Sequence, residues 1–196
     1  MSEKASRERV TVEKWDTLSE TVVAETVVFD LVSRRCRHPR RGTEGDFYVI
    51  KSGDWVNVLP VTSDGEIVMV RQWRFGVEQL SWEIPGGVMD PGEEPVAAAL
   101  RELREETGYE AKSTRLLGSV RPNPAIQNNT CHFVLAQGVA LTGEQEWDTH
   151  EELEVRLFPV DEVYAMAARG EIIHSLVVNA LFHYYPEWLR TRLSSP

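Results

Sequence analysis

The chain is poor in cysteine and has no long apolar run. Cys36 and Cys131 are its only cysteines among 196 residues. Two cysteines so far apart make neither a disulfide framework nor a zinc site, so we expect two reduced thiols. No segment approaches the roughly 18 apolar residues of a membrane span, and the first ten residues are polar and charged, unlike a signal peptide. These absences predict a cytoplasmic protein that makes no membrane contact.

Basic residues are also scarce. Lysine and arginine total 21 against 31 acidic residues, for a net charge of −10. Such a protein repels a phosphate backbone, so we predict no nucleic-acid partner. The one basic run, residues 34–42, is interpreted either as a solvated hairpin loop or as a local edge that attracts phosphate. A hydrophobic content of 42% indicates an ordinary globular domain with a modest extension.

Acid is abundant on one predicted helix. Glu102, Glu105 and Glu106 have the spacing i, i+3, i+4, which places them on one helix face. Like charges at this spacing destabilise an isolated helix by a few tenths of a kcal/mol per pair. The face is therefore either fully solvated or holds a cation, and carboxylate oxygens suit Mg²⁺.

The residues around the acids define that helix. Pro95 suits its first position and Gly108 its end. The predicted buried stripe consists of Val96, Ala99, Leu100 and Leu103. A glycine-rich loop, Pro85-Gly86-Gly87, precedes the helix and permits backbone geometry that a side chain would forbid.

Loop and helix together resemble the Nudix box, whose pattern is G-x5-E-x7-R-E-U-x-E-E-x-G-U, with U a bulky apolar residue. The matching positions are Gly87, Glu93, Arg101, Glu102, Leu103, Glu105, Glu106, Gly108 and Tyr109. Tyr109 is a soft departure, because the last position is usually aliphatic, and we expect the aromatic ring to pack there.

The resemblance implies an α/β fold, the Nudix-type α/β/α sandwich with a mixed sheet, and metal-dependent hydrolysis of a nucleoside diphosphate linked to another group. Glu102 and Glu106 are then the main metal ligands, with Glu105 and the backbone carbonyl of Gly86. The expected ion is Mg²⁺, with Mn²⁺ as a possible substitute.

Two further roles follow from the resemblance. Glu93 and Arg101 are expected to form an ion pair that holds the loop to the helix. In the branch of the family that cleaves ADP-ribose, a general base comes from a glutamate in the loop before a late strand. Glu151 and Glu152 are the candidates here, with an ordinary acidic loop as the alternative, and His150 is interpreted as a surface residue.

Two features resemble the ADP-ribose and nucleotide-sugar branch. A proline fifteen residues after the box marks many ADP-ribose pyrophosphatases, and Pro124 follows Tyr109 by that distance. The sequence RQWR contains Arg71 and Arg74, which would bind the diphosphate or the terminal sugar through planar guanidinium groups. An ordinary loop proline and solvated strand-end arginines are the alternatives.

The loop RPNPAIQNN departs from the best-known enzymes of that branch. Its amides at Asn123, Gln127 and Asn128 are suited to reading sugar hydroxyls. This favours a hydrolase of nucleoside diphosphate sugars that is broader than a strict ADP-ribose enzyme.

The N-terminal part, residues 1–52, is predicted to be a small β extension preceding a hydrolase domain at 53–196. Strand-forming runs occur at 21–23, 26–32 and 46–50. Trp15, Phe47 and Tyr48 are candidates to stack on the base, and a place in the core is the alternative for each. So small a sheet cannot bury itself, and it could either fold back on its own hydrolase domain or cross to a partner chain. The resemblance to the ADP-ribose branch implies the second, a homodimer formed through residues 14–50.

Three alternative functions remain open. The first is a Nudix enzyme acting on a nucleoside triphosphate or a dinucleoside polyphosphate, which the N-terminal segment and Pro124 disfavour. The second is RNA decapping, which the net charge disfavours. The third is a non-catalytic nucleotide-sugar sensor, which the retained box glutamates disfavour.

Overall fold

A computed structural model of the chain describes residues 11–147 and 152–194. The chain divides into two compact units. The first comprises residues up to Ser52 together with Ala125–Asn128, and the second comprises Gly53–Pro124 and Asn129–Pro196. The short segment joins the first unit through its backbone, because the Ile50 amide donates to the Ile126 carbonyl at 2.7 Å.

The first unit is a three-stranded antiparallel sheet. Its strands, in spatial order, are β1 (Asp16–Glu25), β2 (Asp30–Arg37) and β3 (Glu44–Lys51). The strand predicted at 26–32 is wrong in its first half, because a turn occupies these residues. The Thr26 hydroxyl accepts hydrogen bonds from the amides of Val28 and Phe29, and this local bonding overrides their β propensity.

The first four residues of the basic run lie on β2. Arg34 forms an ion pair with Glu20 at 2.7 Å, and Arg35 forms one with Glu44 at 3.2 Å. Only residues 38–43 connect β2 to β3. The loop interpretation is therefore wrong for the first half of the run, whose charges are balanced by acids on the neighbouring strands.

The second unit contains an eight-stranded mixed sheet. Its strands are β4 (Trp55–Thr62), β5 (Glu66–Arg74), β6 (Gln79–Glu83), β7 (Gly86–Val88), β8 (Tyr109–Glu110), β9 (Ser113–Val120), β10 (Cys131–Leu141) and β11 (Glu154–Pro159). The central path runs β11-β5-β4-β10-β8, and β6, β7 and β9 pair with β5, β4 and β10. Strands β4 and β10 are parallel, and the other pairings are antiparallel.

Helices cover both faces of this sheet. They are α1 (Pro95–Thr107), α2 (Val160–Arg169) and α3 (Ser175–Ser194). Alternate residues of β4 serve the two layers: Val56 and Val58 pack in one cluster with residues of α1, whereas Leu59 and Val61 pack in another with residues of α2 and α3. This arrangement confirms the predicted α/β/α sandwich.

Both cysteines are free and buried. Burial raises the pKa of the Cys131 thiol to about 12, with a smaller contribution from Asp54. Among the helices of the described residues, none is long and apolar enough to cross a membrane.

Candidate active site

Helix α1 begins and ends where the sequence predicts. Pro95 occupies the first turn after the extended residue Glu94, and Gly108 follows the helix with φ 72°, a left-handed conformation that glycine adopts without strain. The Gly108 amide donates to the Arg104 carbonyl at 2.8 Å. The helix therefore has a fixed length and register.

The buried stripe of α1 differs from the prediction at one position. Ala98, Ala99 and Leu103 are fully buried against the sheet, whereas Leu100 is 37% exposed. Ala98 faces the sheet in place of Leu100, because small residues let the helix backbone approach the strands closely. Tyr109 packs on the same cluster, as expected.

Two of the three acids on α1 are almost completely buried. Glu102 is 9% and Glu106 is 3% exposed. The Gly86 amide donates to Oε2 of Glu106 at 3.2 Å, and a Cβ placed on Gly87 would lie 2.5 Å from Oε1 of Glu102. The glycine loop thus lies directly against both carboxylates, and Glu105 lies at the margin, only partly buried.

Arg101 connects the loop to the acidic face. Its guanidinium donates to both oxygens of Glu93 at 3.1 and 3.0 Å, to Glu102 at 2.8 Å and to Glu105 at 3.2 Å. The hydrogen bonds that Arg101 donates to Glu93 are the main cause of the raised pKa of Arg101, and in turn the pKa of Glu93 is lowered. The ion pair expected between Glu93 and Arg101 is therefore present.

The donor set on α1 suits a hard divalent cation. Glu102 and Glu106 lie one helical turn apart, and the backbone of Gly86 and Gly87 lies against them. The atoms available to a cation here are therefore carboxylate and backbone oxygens. Within residues 11–147 and 152–194, no three histidine, cysteine or acidic side chains lie close enough together to hold a metal ion by themselves. Mg²⁺ fits such an open site, because it usually takes one or two carboxylates and completes its shell with water and substrate phosphates.

An ion pair with a buried carboxylate precedes the glycine loop. Glu83 on β6 is 1% exposed and accepts from Arg74 on β5 at 2.7 and 2.6 Å. Burial by itself would raise the pKa of Glu83. The hydrogen bonds from the Arg74 guanidinium and the nearby His174 lower it by more, so the pKa lies below its ordinary value. Sequence reasoning missed Glu83. An acid in an apolar run directly before a glycine loop was the available signal.

Arg71 lies at the edge of a cavity of about 610 Å³. It forms an ion pair with Glu154, and its guanidinium lies 5.2 Å from the centre of the Trp82 ring. The cavity is lined by charged and aromatic side chains, among them Arg71, Trp73, Phe75, Trp147 and Glu152.

Of the two candidate bases, only Glu152 lies within the described residues. Glu152 is exposed and lines the same cavity as Arg71. Glu151 and His150 lie outside the described residues.

The candidates of the RPNPAIQNN loop are divided between the two units. Asn123 and Pro124 are exposed residues of the second unit, whereas Gln127 and Asn128 belong to the first. The Asn128 side chain accepts from the Ser52 amide at 3.0 Å, so it has a structural partner within its unit. Gln127 forms a parallel β-bridge with Ile50.

The aromatic candidates of the first unit form a small group. Trp15 meets Phe47 edge to face at 5.5 Å between ring centres, and it meets His38 at 5.1 Å. Tyr48 is 59% exposed.

Residues 52–180 match the NUDIX domain family. The chain belongs to the Nudix family. It is 34% identical over 134 residues to an ADP-ribose pyrophosphatase of Bacillus subtilis strain 168, covering 68% of this chain and 72% of the relative. It is 41% identical over 159 residues to an ADP-sugar pyrophosphatase of Mus musculus, covering 74% and 71%.

A solved structure also shares the fold. The crystal structure of an ADP compounds hydrolase superimposes with a TM-score of 0.81, over 93% of this chain and 98% of that one. The sequences are 23% identical, so this likeness concerns the fold alone.

Proposed function

We propose that this Nudix chain hydrolyses the pyrophosphate bond of nucleoside diphosphate sugars, ADP-ribose among them, to a nucleoside monophosphate and a sugar phosphate. The observation that carries the proposal is the pair of buried carboxylates, Glu102 and Glu106, held against the glycine loop. The names of the two relatives support the substrate class.

Glu102 and Glu106, with Glu105 and the Gly86 carbonyl, are the residues that would hold the divalent cation. We expect Mg²⁺, with Mn²⁺ as a substitute. A bound cation of this kind neutralises phosphate charge, polarises a phosphoryl oxygen and acidifies the attacking water. Arg101, through Glu93, keeps the glycine loop on the helix.

Glu152 or Glu151 acts as the general base in this proposal. The carboxylate takes a proton from water as the water oxygen bonds to one phosphorus, and the bridging P–O bond breaks so that the second phosphate leaves. Glu152 is supported by its place in the cavity that Arg71 also lines.

Arg71 and Arg74 are proposed to bind the diphosphate or the terminal sugar. Glu83 fixes the guanidinium plane of Arg74 through two hydrogen bonds, which orients an otherwise flexible side chain. Amides at Asn123, Gln127 and Asn128, beside Pro124, are proposed to read sugar hydroxyls.

The N-terminal sheet is proposed to form the contact of a homodimer. Every residue of β1 is exposed, and Val22, Val23 and Val28 are at least 50% exposed. An exposed outer strand that carries valines invites pairing with another chain, and two-fold dimers are the commonest homo-oligomers. Trp15, Phe47 and Tyr48 are the candidates to stack on the base.

The deciding experiment is a substrate panel. Purified protein is incubated with ADP-ribose, other nucleoside diphosphate sugars, a nucleoside triphosphate and a dinucleoside polyphosphate, each with Mg²⁺ or Mn²⁺. We expect a nucleoside monophosphate and a sugar phosphate, identified by mass spectrometry, from the first two classes. Faster turnover of the triphosphate or the polyphosphate would overturn the proposed substrate class.

A further inference from the structure

The loop that follows β10 is hydrogen-bonded to the C-terminal end of α1. We call residues 142–147, which follow β10, the strap. The hydrogen bonds between strap and helix are Thr142 N to Gly108 O at 3.0 Å, Gly143 N to Gly108 O at 3.1 Å, Glu146 N to Glu105 O at 2.8 Å and Trp147 Nε1 to Glu106 O at 3.2 Å. Two of them end on carbonyls of the last turn of α1, and two end on the carbonyl of Gly108, which follows the helix.

These bonds address a general weakness of helices. The last four carbonyls of a helix have no partner within it and must be satisfied from outside. Two of the carbonyls used here belong to Glu105 and Glu106, whose side chains stand on the acidic face. The strap therefore fixes the peptide groups from which two of the candidate metal ligands project.

Trp147 has a second environment besides the helix. Its side chain is 39% exposed, and it lines the cavity of about 610 Å³ with Arg71, Trp73 and Glu152. It also lines a second cavity of about 740 Å³, on which Tyr109 lies. One residue thus contacts both the end of the acidic helix and the cavity that contains a candidate base and a candidate phosphate ligand.

We propose that Trp147 is a positioning residue for the hydrolysis. Its indole N–H holds the Glu106 peptide while its ring forms a wall of the cavity, so it sets the Glu106 carboxylate relative to the substrate there. This inference rests on the proposed function, since it assumes that the cavity receives part of the substrate. Trp147 acts through Glu106 and touches no reacting atom in this scheme.

The test compares two tryptophan substitutions that each remove one indole hydrogen bond. Trp147→Phe keeps an aromatic ring and loses the bond to Glu106. The matched control is Trp188→Phe, which loses the bond from Nε1 to Asp161 at 2.7 Å in the α2–α3 layer. The quantities measured are kcat and KM for ADP-ribose, the Kd for Mn²⁺ by electron paramagnetic resonance, and the melting temperature.

We expect Trp147→Phe to lower kcat about 10-fold and to weaken Mn²⁺ binding about 5-fold, with KM within about 2-fold, as fits the loss of one hydrogen bond. Trp188→Phe should leave kcat and Mn²⁺ affinity within about 2-fold of the wild type. Trp147→His restores a ring N–H and should lose only about 3-fold in each. The melting temperatures of the two phenylalanine variants should fall by similar amounts.

Wild-type kcat and Mn²⁺ affinity in Trp147→Phe would overturn the inference, and so would equal losses in Trp188→Phe. If Trp147→Phe does not fold, Trp147→Leu, which also lacks the indole N–H, takes its place, and wild-type values there would overturn the inference. A wild-type protein that hydrolyses no nucleotide sugar would instead refute the proposed function. The Mn²⁺ comparison would still test the link between Trp147 and Glu106.

Discussion

Replacing Glu106 by glutamine should abolish catalysis and preserve the fold. Glu106 is 3% exposed and lies four residues after Glu102. The amide oxygen of glutamine can still accept from the Gly86 amide, which now donates to Oε2 at 3.2 Å. Removing one of two like charges one turn apart relieves a few tenths of a kcal/mol of repulsion. We therefore expect a melting temperature without metal that equals or slightly exceeds that of the wild type.

The same change removes one metal ligand and its charge. The expected loss in kcat is about 10²-fold or more, or about 2.7 kcal/mol, the scale for one preorganised electrostatic contact in a transition state. Wild-type protein at Mg²⁺ of about 100 times its Kd should gain about 2.7 kcal/mol of stability, and the variant should gain little. Steady-state kinetics and thermal melts with and without Mg²⁺ measure both quantities.

Glu94→Gln is the control for Glu106→Gln, because it makes the same charge change at the exposed N-terminal end of α1, where the side chain makes no capping bond. The control should behave as the wild type in both assays. A rate for Glu106→Gln close to wild type at saturating Mg²⁺ would refute a role in metal binding. A variant that is unfolded without metal would refute the reasoning about the fold.

Three further predictions concern the base, the buried pair and assembly. Of Glu151→Gln and Glu152→Gln, one should lower kcat by about 10²–10⁴-fold with KM nearly unchanged; wild-type rates in both would refute a base in this segment. Glu83→Gln should cost about 2 kcal/mol at pH 7, measured by urea unfolding. The lowered pKa of Glu83 means that this contribution is complete above its ordinary pKa of 4.5 and is lost as the pH falls through the folded value, so a stability gap that persists unchanged at lower pH would contradict the assignment. Light scattering should give a dimer for the full chain and not after deletion of residues 1–50; a mass near 22.3 kDa for the full chain would exclude the dimer.

The acidic helix could be predicted from local signals, because its determinants lie next to one another in sequence. Pro95 and Gly108 mark its ends, and the spacing of the glutamates fixes their common face. The α/β/α layering followed from the family resemblance and was confirmed.

The contacts that depend on distant residues could not be predicted. Glu83 contacts Arg74 on the neighbouring strand and His174 near α3, and no local sequence pattern predicts these contacts. The hydrogen bonds of the strap have no local signal either, because the carbonyls that they satisfy lie at the end of a helix about 40 residues earlier. Local turn chemistry also misled the prediction at Thr26, where a hydroxyl competes with the strand.

The parallel pairing of β4 with β10 has a consequence for how the enzyme becomes active during folding. It joins Trp55 to Cys131, and the flanking bond from Thr130 to Asp54 spans 76 residues. Closing so long a loop lowers the entropy of the chain before any stabilising contact forms, so such pairing is slow compared with helix formation. Helix α1 packs on both strands, and the strap continues from β10. In a refolding experiment, hydrolysis should therefore return with the slow phase in which this strand pair forms, after most of the helical circular dichroism has already recovered.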